Sequence, residues 1–402
     1  MLQRTTIAFF GRTNAGKSLL VNSLTAQNTS IVSSIKGTTT DPVKKVMELL
    51  PLGPVTIIDT PGIDDNSELG RLRIQKTEQI LNQTHIAVLV IDSKLYIQQG
   101  KFFEDETKLI TEFKKRGIPF IIAMNKCDLL PKLVSPSLSN ENSFFVSALK
   151  NQNIQLLKEE ITKLKKNQQN KSFLVKDLVN PCDSVILVIP LDESAPKDRL
   201  ILPQQMVIRE LLEIGAFPVC CTQQSLSALL KKSALSPALV ITDSQAFGFV
   251  NSVLNPKTPL TSFSILMARF KGTLEYSLKG ADTLDFLDAE DTILISEGCT
   301  HHRQCADIGT VKLPLWLKNF TKKNLNFDFS SGNTFPDDLS KYKLVIHCGG
   351  CMLNEKEMQS RIERCKKQRI PVTNYGMTIA KINGILERSL KPLKILKNDT
   401  KI

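Results

Sequence analysis

The sequence predicts an α/β protein of three domains, each built on a largely parallel sheet. Short apolar runs alternate with helix-like patterns from residue 6 to residue 166, which is typical of strand–helix–strand units. The same alternation returns in the last third of the chain, after a smaller α/β stretch. At 402 residues the chain is also too long for a single hydrophobic core. We therefore predict domains at 1–166, 172–262 and 263–402.

In the first domain, the predicted strands are the apolar runs at 7–10, 55–59, 86–92, 120–124 and 143–146. In the middle domain, we predict strands at 184–190, 217–221 and 238–242, with a helix at 204–214. In the last domain, we predict strands at 292–296, 343–347 and 370–373, with helices at 311–320, 355–367 and 378–390.

Composition excludes a disordered, fibrous or membrane-spanning chain. The apolar fraction is 42% and the charged fraction 23%, as in ordinary globular proteins. No apolar run reaches the length of about 18 residues that a membrane helix needs, and the first run begins too early for a signal peptide. We therefore expect a cytoplasmic protein with no membrane partner, whose nine cysteines are thiols or metal ligands rather than disulfides.

The net charge of +12 is concentrated near one end of the chain. Residues 361–402 carry 11 Lys and Arg against 3 Asp and Glu. Solvated helix faces are the simplest interpretation of this excess. Docking to an acidic partner or to nucleic acid is the alternative.

A glycine-rich loop follows the first predicted strand and opens a helix. It reads Gly11-Arg-Thr-Asn-Ala-Gly16-Lys17-Ser18, the pattern of a P-loop, whose backbone N–H groups cradle nucleotide phosphates. Lys17 is expected to reach the β- and γ-phosphates, and the Ser18 hydroxyl to bind Mg²⁺. The predicted nucleotide contacts in this segment are Gly11, Asn14, Ala15, Gly16, Lys17, Ser18 and Leu19.

A second motif, Asp59-Thr-Pro-Gly62, ends a predicted strand 48 residues after Gly11. Asp59 is placed to hold Mg²⁺ through water, and the Gly62 N–H to contact the γ-phosphate. A threonine between the two motifs could complete the Mg²⁺ ligands. We expect Thr39 in this role, with Thr38 as the second choice.

Two further motifs select the base. Asn125-Lys126-Cys127-Asp128 follows a predicted strand, and the Asp128 carboxylate suits the guanine N1–H and exocyclic amine. Adenine would leave this carboxylate without its donors. Ser147 and Ala148, after the last strand of the domain, offer a backbone N–H to the guanine O6.

These four motifs resemble the GTPases of the Era and TrmE type over the first 166 residues. The resemblance implies hydrolysis of GTP to GDP, with Mg²⁺. Ile63 stands where Ras-like enzymes carry a water-orienting glutamine, and Asn14 matches the position at which TrmE-like GTPases bind K⁺ in place of an arginine finger. We therefore expect slow, K⁺-stimulated hydrolysis, although Asn14 could simply stabilise the loop. The residues expected to act in catalysis are Lys17, Asn14, Thr39 and Gly62.

Cysteines and histidines cluster at two predicted strand ends. One segment reads Cys299-Thr-His301-His302 and the other His347-Cys348-Gly-Gly-Cys351. In a parallel sheet both loops emerge at one edge, so three thiols can converge there. A Cys₃His zinc site, an iron–sulfur cluster and a structural thiol cluster all remain open. Residues 373–376 are expected to form a loop at the same edge, and Cys365 to be a helical core residue.

Across nearly its whole length, the chain resembles the GTPases of FeFe-hydrogenase maturation, the HydF family. The resemblance rests on a C-x-H pattern, 45 intervening residues, an H-C-x-x-C pattern, and the stretches 195–203 and 264–272. It implies that Cys299, Cys348 and Cys351 hold a 4Fe-4S cluster, with an exchangeable fourth position near His301 or His347. It also implies a homodimer formed by the middle domain. The implied role is scaffold or carrier of the diiron precursor, with the FeFe-hydrogenase apoprotein and radical-SAM maturases as partners.

An RNA-directed GTPase with a structural zinc is the alternative function, favoured by the basic end of the chain. No G-x-x-G loop of a KH module appears, so we expect no nucleic-acid partner. An interaction protein in which a metal only stabilises a domain is a third possibility.

Overall fold

The computed structural model of the chain describes residues 4–25, 42–64, 68–130, 142–166, 173–191, 200–233, 235–298, 307–332 and 334–394. Within helices, it describes only the backbone at 68–75 and 165–166. The predicted site residues Thr38, Thr39, Cys299 and His301 lie outside this part of the chain. The chain forms two units, residues 2–170 and 171–402.

The first unit contains a six-stranded sheet in the order β2-β3-β1-β4-β5-β6. Strand β2 is antiparallel to β3, and the other pairs are parallel. The strands are β1 (Thr5–Phe10), β2 (Val43–Leu49), β3 (Gly53–Asp59), β4 (Ile86–Asp92), β5 (Phe120–Asn125) and β6 (Ser143–Phe145). The helices are α1 (Lys17–Thr25), α2 (Glu68–Gln83), α3 (Ser93–Gln99), α4 (Glu104–Lys115) and α5 (Ile154–Lys166).

Both faces of this sheet are covered, because successive strand residues point to opposite sides. Ile7 and Phe9 of β1 belong to the apolar cluster that includes residues of α1 and α5. Ala8 and Phe10 belong to a second cluster, with residues of α2 and α4. This double burial explains why the central strands are continuous apolar runs and could be predicted from sequence.

The five predicted strands of this unit are confirmed with small shifts at their ends, but β2 was missed. None of the seven residues of β2 is buried, and the strand lies at the edge of the sheet. It therefore lacks the apolar run by which the other strands were identified.

The second unit contains two four-stranded parallel sheets. The first has the order β10-β9-β7-β8. Its strands are β7 (Ser184–Val188), β8 (Phe217–Cys221), β9 (Leu239–Thr242) and β10 (Leu260–Ser262). The helices of this stretch are α6 (Leu202–Ile214), α7 (Leu226–Lys232), α8 (Phe247–Val253) and α9 (Phe263–Phe270).

The second sheet of this unit has the order β12-β11-β13-β14. Its strands are β11 (Thr292–Glu297), β12 (Asn326–Ser331), β13 (Leu344–His347) and β14 (Val372–Asn374). The helices are α10 (Leu274–Asp282), α11 (Leu313–Thr321), α12 (Glu355–Lys367), α13 (Tyr375–Ile382) and α14 (Leu386–Leu390). The α/β class predicted for all three parts of the chain is thus confirmed.

One apolar cluster connects the two sheets of the second unit. It includes Ile186 of the first sheet, Ile295 of the second, and Ile265 and Met377 of the helices α9 and α13. These two helices pack against each other, and α9 also packs against α10 and β14. The cores of the two sheets are therefore continuous, and the predicted boundary between 262 and 263 stays a prediction.

Two local predictions near the end of the chain are wrong. The helix predicted at 378–390 is divided into α13 and α14, because Gly384 adopts a left-handed φ of +69° that ends the first helix. The loop predicted at 373–376 does not form: β14 runs to Asn374 and α13 begins at Tyr375. The Asn374 side chain caps this helix by accepting the Met377 N–H at 2.8 Å.

Among the described residues, no helix is both long enough and apolar enough to cross a bilayer.

Candidate nucleotide site and candidate metal centre

The loop between β1 and α1 has the backbone of a phosphate-binding site. Gly11 has a φ of +147°, and a Cβ there would lie 2.2 Å from the Val90 carbonyl oxygen. Gly16 has a φ of +90°, and a Cβ there would lie 2.2 Å from Asn125 Nδ2. Only glycine fits these two positions. Because α1 begins at Lys17, its free N–H groups face the loop and favour a bound anion.

Lys17 supplies a buried positive charge to this loop. Its side chain is 8% exposed, and Nζ donates to the carbonyl oxygens of Gly11 at 2.9 Å and Arg12 at 2.8 Å. Burial lowers the pKa of Lys17 to about 8, while the nearby carboxylates of Asp59 and Asp64 act in the opposite direction. Phosphate oxygens are stronger acceptors for an ammonium than these neutral carbonyls.

Asp59 is the last residue of β3, and its carboxylate is buried near Ser18 and Lys17. Asp59 is 7% exposed, and its carboxylate accepts a hydrogen bond from Ser18. Within the described part of the chain, its Oδ1 atom is buried and has no hydrogen-bond partner. Burial raises the pKa of Asp59, against the lowering effect of Ser18 and Lys17. A buried, unpartnered carboxylate oxygen beside a hydroxyl fits a hard cation such as Mg²⁺.

The segment after β3 is bound directly to the glycine-rich loop. A Cβ at Gly62 would lie 2.2 Å from Thr13 Oγ1, so glycine is needed for this approach. Asp64 Oδ1 accepts the Thr13 N–H at 2.7 Å and the Thr13 hydroxyl at 2.6 Å. Sequence reasoning gave Asp64 no role, although a carboxylate two residues after Gly62 was a visible signal.

Asn125 connects three of the predicted motifs. Its Nδ2 donates to the Ala15 carbonyl at 3.0 Å, and its Oδ1 accepts the Ala148 N–H at 3.0 Å. The amide therefore ties the glycine-rich loop and the turn at Ser147 to the end of β5. Asn125 is 2% exposed and Ser147 is fully buried, so this connection lies inside the fold.

A short 3₁₀ helix, Cys127–Leu129, follows soon after Asn125. It contains Asp128, which is half-buried. Lys126 precedes it in a left-handed conformation with φ +64°, and its Nζ pairs with Asp92 Oδ2 at 2.6 Å. The structure thus brings the phosphate-binding and base-selecting motifs to one edge of the sheet.

The candidate metal centre lies at the carboxyl ends of β11 and β13, which are parallel neighbours. Cys348 N–H donates to the Ser296 carbonyl at 2.9 Å. Cys348 Sγ accepts the N–H groups of Gly298 at 3.0 Å and Gly350 at 3.3 Å. Gly298 is the last described residue before Cys299, so the two predicted strand ends meet at the Cys348 sulfur.

Burial raises the pKa of the Cys348 and Cys351 thiols. The Gly298 and Gly350 N–H groups lower that of Cys348, and the Lys271 ammonium lowers that of Cys351. Backbone N–H groups directed at sulfur are typical around metal-bound thiolates. Among the described residues, no three His, Cys, Asp or Glu side chains form a metal-binding group, and two of the predicted residues, Cys299 and His301, lie outside that set.

His347 is held by protein partners on both ring nitrogens. It is 3% exposed, Nδ1 lies 2.8 Å from the Cys348 carbonyl oxygen, and Nε2 lies 3.0 Å from Arg361 Nη1. Burial and then the Arg361 charge lower the pKa of His347 to about 3. The ring is therefore neutral, with Nδ1 as donor and Nε2 as acceptor. To bind a metal, Nε2 would have to give up Arg361.

Other polar groups surround Cys348. A small pocket behind it is lined by residues that include Ser264, Lys271, Thr373 and Asn374. On another side, the Tyr375 hydroxyl donates to the buried Glu297 carboxylate at 3.3 Å. Cys365 lies apart in the core and is fully buried, as predicted, and burial raises its pKa to about 12.

Comparison with known protein families finds three matches in succession along the chain. Residues 6–126 match a family model described as a 50S ribosome-binding GTPase. Residues 174–272 match the hydrogen maturase F dimerization domain, and residues 275–392 match the hydrogen maturase F tetramerization domain. The GTPase match contains the glycine-rich loop, and the last match contains the cysteine loop at 348–351.

Curated relatives resemble only part of the chain. A tRNA modification GTPase MnmE from Streptococcus mutans is 30% identical over 39% of this chain and 33% of its own length. A GTPase Der from Mycoplasmopsis pulmonis is 32% identical over 43% of this chain and 43% of its own length. The chain thus spans less than half the length of these two relatives. A solved structure of a bacterial selenocysteine-specific elongation factor EF-Sec is 21% identical over 42% of this chain and 30% of that chain, with a TM-score of 0.34.

The GTPase domain at the start is followed by two domains that carry the hydrogen maturase F name. These two matches are consecutive and together span more than half of the chain. Because these two matches also follow a GTPase match in the same chain, the chain belongs to the hydrogen maturase F (HydF) family of P-loop GTPases.

Proposed function

We propose that this chain hydrolyses GTP and carries a 4Fe-4S cluster in the assembly of the FeFe-hydrogenase active site. The observation that carries the proposal is the combination of an intact P-loop with a Cys-x-x-Cys loop whose first sulfur accepts two backbone N–H groups. The family match supports the same assignment.

In the nucleotide site, we assign phosphate binding to Lys17 and to the N–H groups of the loop, and Mg²⁺ to Ser18 and Asp59. The orphaned Asp59 oxygen supports the second assignment. Thr39, the remaining proposed Mg²⁺ ligand, lies outside the described residues. When bound, Mg²⁺ neutralises charge on the β- and γ-phosphates. The Gly62 N–H is proposed to contact the γ-phosphate.

Asp128 is expected to set the preference for guanine. Inosine triphosphate lacks the exocyclic amine, so one hydrogen bond to the carboxylate is lost, which is worth about 1.5–3 kcal/mol. We expect it to bind about 10- to 100-fold more weakly than GTP. Asp128→Asn should bring the two affinities close together in a competition assay with a fluorescent nucleotide. Glu78→Gln, an exposed carboxylate of the same unit, should keep the preference. An unchanged GTP-to-inosine-triphosphate ratio in Asp128→Asn would contradict the assignment.

Asn14 is proposed to bind K⁺ during hydrolysis. Its side chain is exposed and its backbone is left-handed, with φ +62°. We expect hydrolysis to be faster in K⁺ than in Na⁺ at matched ionic strength, by a factor on the order of ten. Asn14→Gly tolerates the same backbone but removes the amide oxygen, so it should abolish the difference. Equal rates in the two salts for the unmodified protein would rule out K⁺ stimulation. A preserved difference in Asn14→Gly would assign the effect to other groups.

In the metal centre, we propose Cys299, Cys348 and Cys351 as ligands of the 4Fe-4S cluster. The described residues fit this role, because soft thiolates bind iron–sulfur clusters and N–H groups point at one of the sulfurs. Held by three thiolates, such a cluster would leave one iron with a fourth position open to exchange. His301 remains a candidate for that position. His347, whose ring nitrogens contact Arg361 and the Cys348 carbonyl, is proposed to orient the loop instead.

The wider role we propose is that of a homodimeric cytoplasmic scaffold or carrier. It would receive the diiron precursor made by radical-SAM maturases and deliver it to the hydrogenase apoprotein. Nucleotide state would control the exchange of partners. The dimerization and tetramerization domain matches support self-association.

Anaerobic purification followed by reconstitution with iron and sulfide tests this proposal. A brown protein with about four irons per chain would support it. The alternative is an RNA-directed GTPase with a structural zinc, favoured by the likeness of the first unit to tRNA modification GTPases. Stoichiometric zinc together with tight RNA binding would establish that alternative instead.

A further inference from the structure

A lysine directly after helix α9 is buried beneath the cysteine loop. Lys271 follows the last residue of α9, and only 2% of it is exposed. Its Nζ donates to the carbonyl oxygens of Gly350 and of Leu353, the latter at 2.9 Å. These two carbonyls lie on either side of Cys351 in sequence. The amine therefore fixes the course of the loop on both sides of the second thiol.

Within the described part of the chain, no carboxylate lies within ion-pair distance of the Lys271 amine. Burial lowers the pKa of Lys271 to about 8, against the opposing effects of Cys351, Cys348 and Glu355. A buried ammonium is costly unless negative charge lies nearby. Two neutral carbonyls satisfy its hydrogen bonds but not its charge. Thiolates bound to a metal would provide the missing negative charge.

Residues of α9 and α12, together with Lys271, pack against the cysteine loop. A Cβ at Gly350 would lie 2.7 Å from Met358 Sδ and 3.6 Å from Lys271 Nζ. Ser264, near the start of α9, lies beside the same loop: a Cβ added at Gly349 would lie 3.7 Å from Ser264 Cβ, an ordinary packing distance. The loop is thus in contact with α9 at Ser264 and with Lys271 just after it, and with α12 at Met358.

Lys271 and the loop fall in two different family matches. The residue lies inside the dimerization-domain match at 174–272, and the cysteines lie inside the next match at 275–392. The Gly350 and Leu353 carbonyls that accept its hydrogen bonds are 79 and 82 residues away from Lys271 in sequence. The cysteine loop therefore depends on the middle domain for a charged group.

We infer that Lys271 is a positioning residue of the metal centre, supplied by the middle domain, which fixes the Cys348–Cys351 loop and provides the countercharge to its metal-bound thiolates. This inference rests on the proposed 4Fe-4S site for its second part only. The fixing of the loop is a property of the chain itself.

The first measurement needs no metal. Hydrogen–deuterium exchange of the metal-free full chain should show faster exchange at residues 350–353 in Lys271→Met, by about tenfold or more, since hydrogen bonds from a charged donor are lost. Lys279→Met, an exposed lysine on the adjacent helix α10, should leave this exchange unchanged. Unchanged exchange in Lys271→Met would overturn the positioning role, whether or not the protein binds iron.

The second measurement uses the reconstituted cluster. Reduction adds negative charge, so removal of a nearby positive charge should make it less favourable. We expect Lys271→Met to disfavour one-electron reduction about tenfold, a shift of about 59 mV to more negative potential in an EPR-monitored titration. Lys271→Arg keeps the charge and should stay near the unmodified potential. Equal potentials in all three proteins would overturn the countercharge role, whereas zinc in place of iron would overturn the proposed function alone.

Discussion

Replacement of Lys17 by alanine is expected to reduce single-turnover GTP hydrolysis by about 10²- to 10³-fold. Removal of one preorganised electrostatic donor at a reacting centre typically has this effect. Lys17 Nζ is held by the Gly11 and Arg12 carbonyls at the glycine-rich loop, in position to contact phosphate oxygens. Phosphate release measured with enzyme in excess over GTP is the direct assay.

The fold of this variant should survive. Burial lowers the pKa of Lys17 to about 8, which means that the charged form is disfavoured in the folded unit. Lys17→Ala therefore removes the unfavourable free energy of burying a charge as well as two favourable hydrogen bonds, and these two effects offset each other. We expect a Tm close to that of the unmodified nucleotide-free protein. Lys101→Ala, an exposed lysine of the same unit, should leave hydrolysis unchanged. Near-normal hydrolysis in Lys17→Ala would show that the loop is not the catalytic phosphate site.

The second large effect is expected at Cys348. Cys348→Ser should reduce the iron content of the reconstituted protein from about four atoms per chain to a small fraction of that, with loss of the brown colour. The hydroxyl oxygen is a poor substitute for a thiolate as an iron ligand. It also reaches less far than sulfur toward the Gly298 and Gly350 N–H groups that Cys348 Sγ accepts. Iron analysis and visible absorption after anaerobic reconstitution measure the loss.

Cys220→Ser is the matched control, because Cys220 is an exposed cysteine on β8 in the other sheet of the unit. It should retain full iron content. Retention of about four irons by Cys348→Ser would mean that the cluster is held elsewhere. Equal loss in both variants would indicate iron bound by surface thiols rather than at a defined centre.

The nucleotide motifs could be predicted almost completely from the sequence. Each consists of consecutive residues at the end of an apolar strand, so its chemistry and its position are both local. The glycines at 11 and 16 illustrate this, since the left-handed backbone they require is a property of single residues. Asn125 was predicted as a base-selecting residue, but its two bonds to Ala15 and Ala148 became visible only in the fold.

Features that depend on contacts between residues distant in sequence could not be predicted from local sequence patterns. Strand β2 has no buried residue and so left no apolar signal. Asp64 bonds to Thr13 across 51 residues, and nothing at either position specifies that pairing. His347 was predicted as a candidate ligand from its place beside Cys348. Only the packing of α12 brings Arg361 to its Nε2.

By itself the sequence determined a P-loop GTPase domain and two cysteine-bearing strand ends, because both are short patterns whose residues lie side by side in the chain. The tertiary structure decided what surrounds them. Packing of α9 against the second sheet buries the Lys271 charge under the cysteine loop, 79 residues away along the chain. Burial and charge balance are sums over all neighbours, and those neighbours are set by the fold rather than by any local pattern.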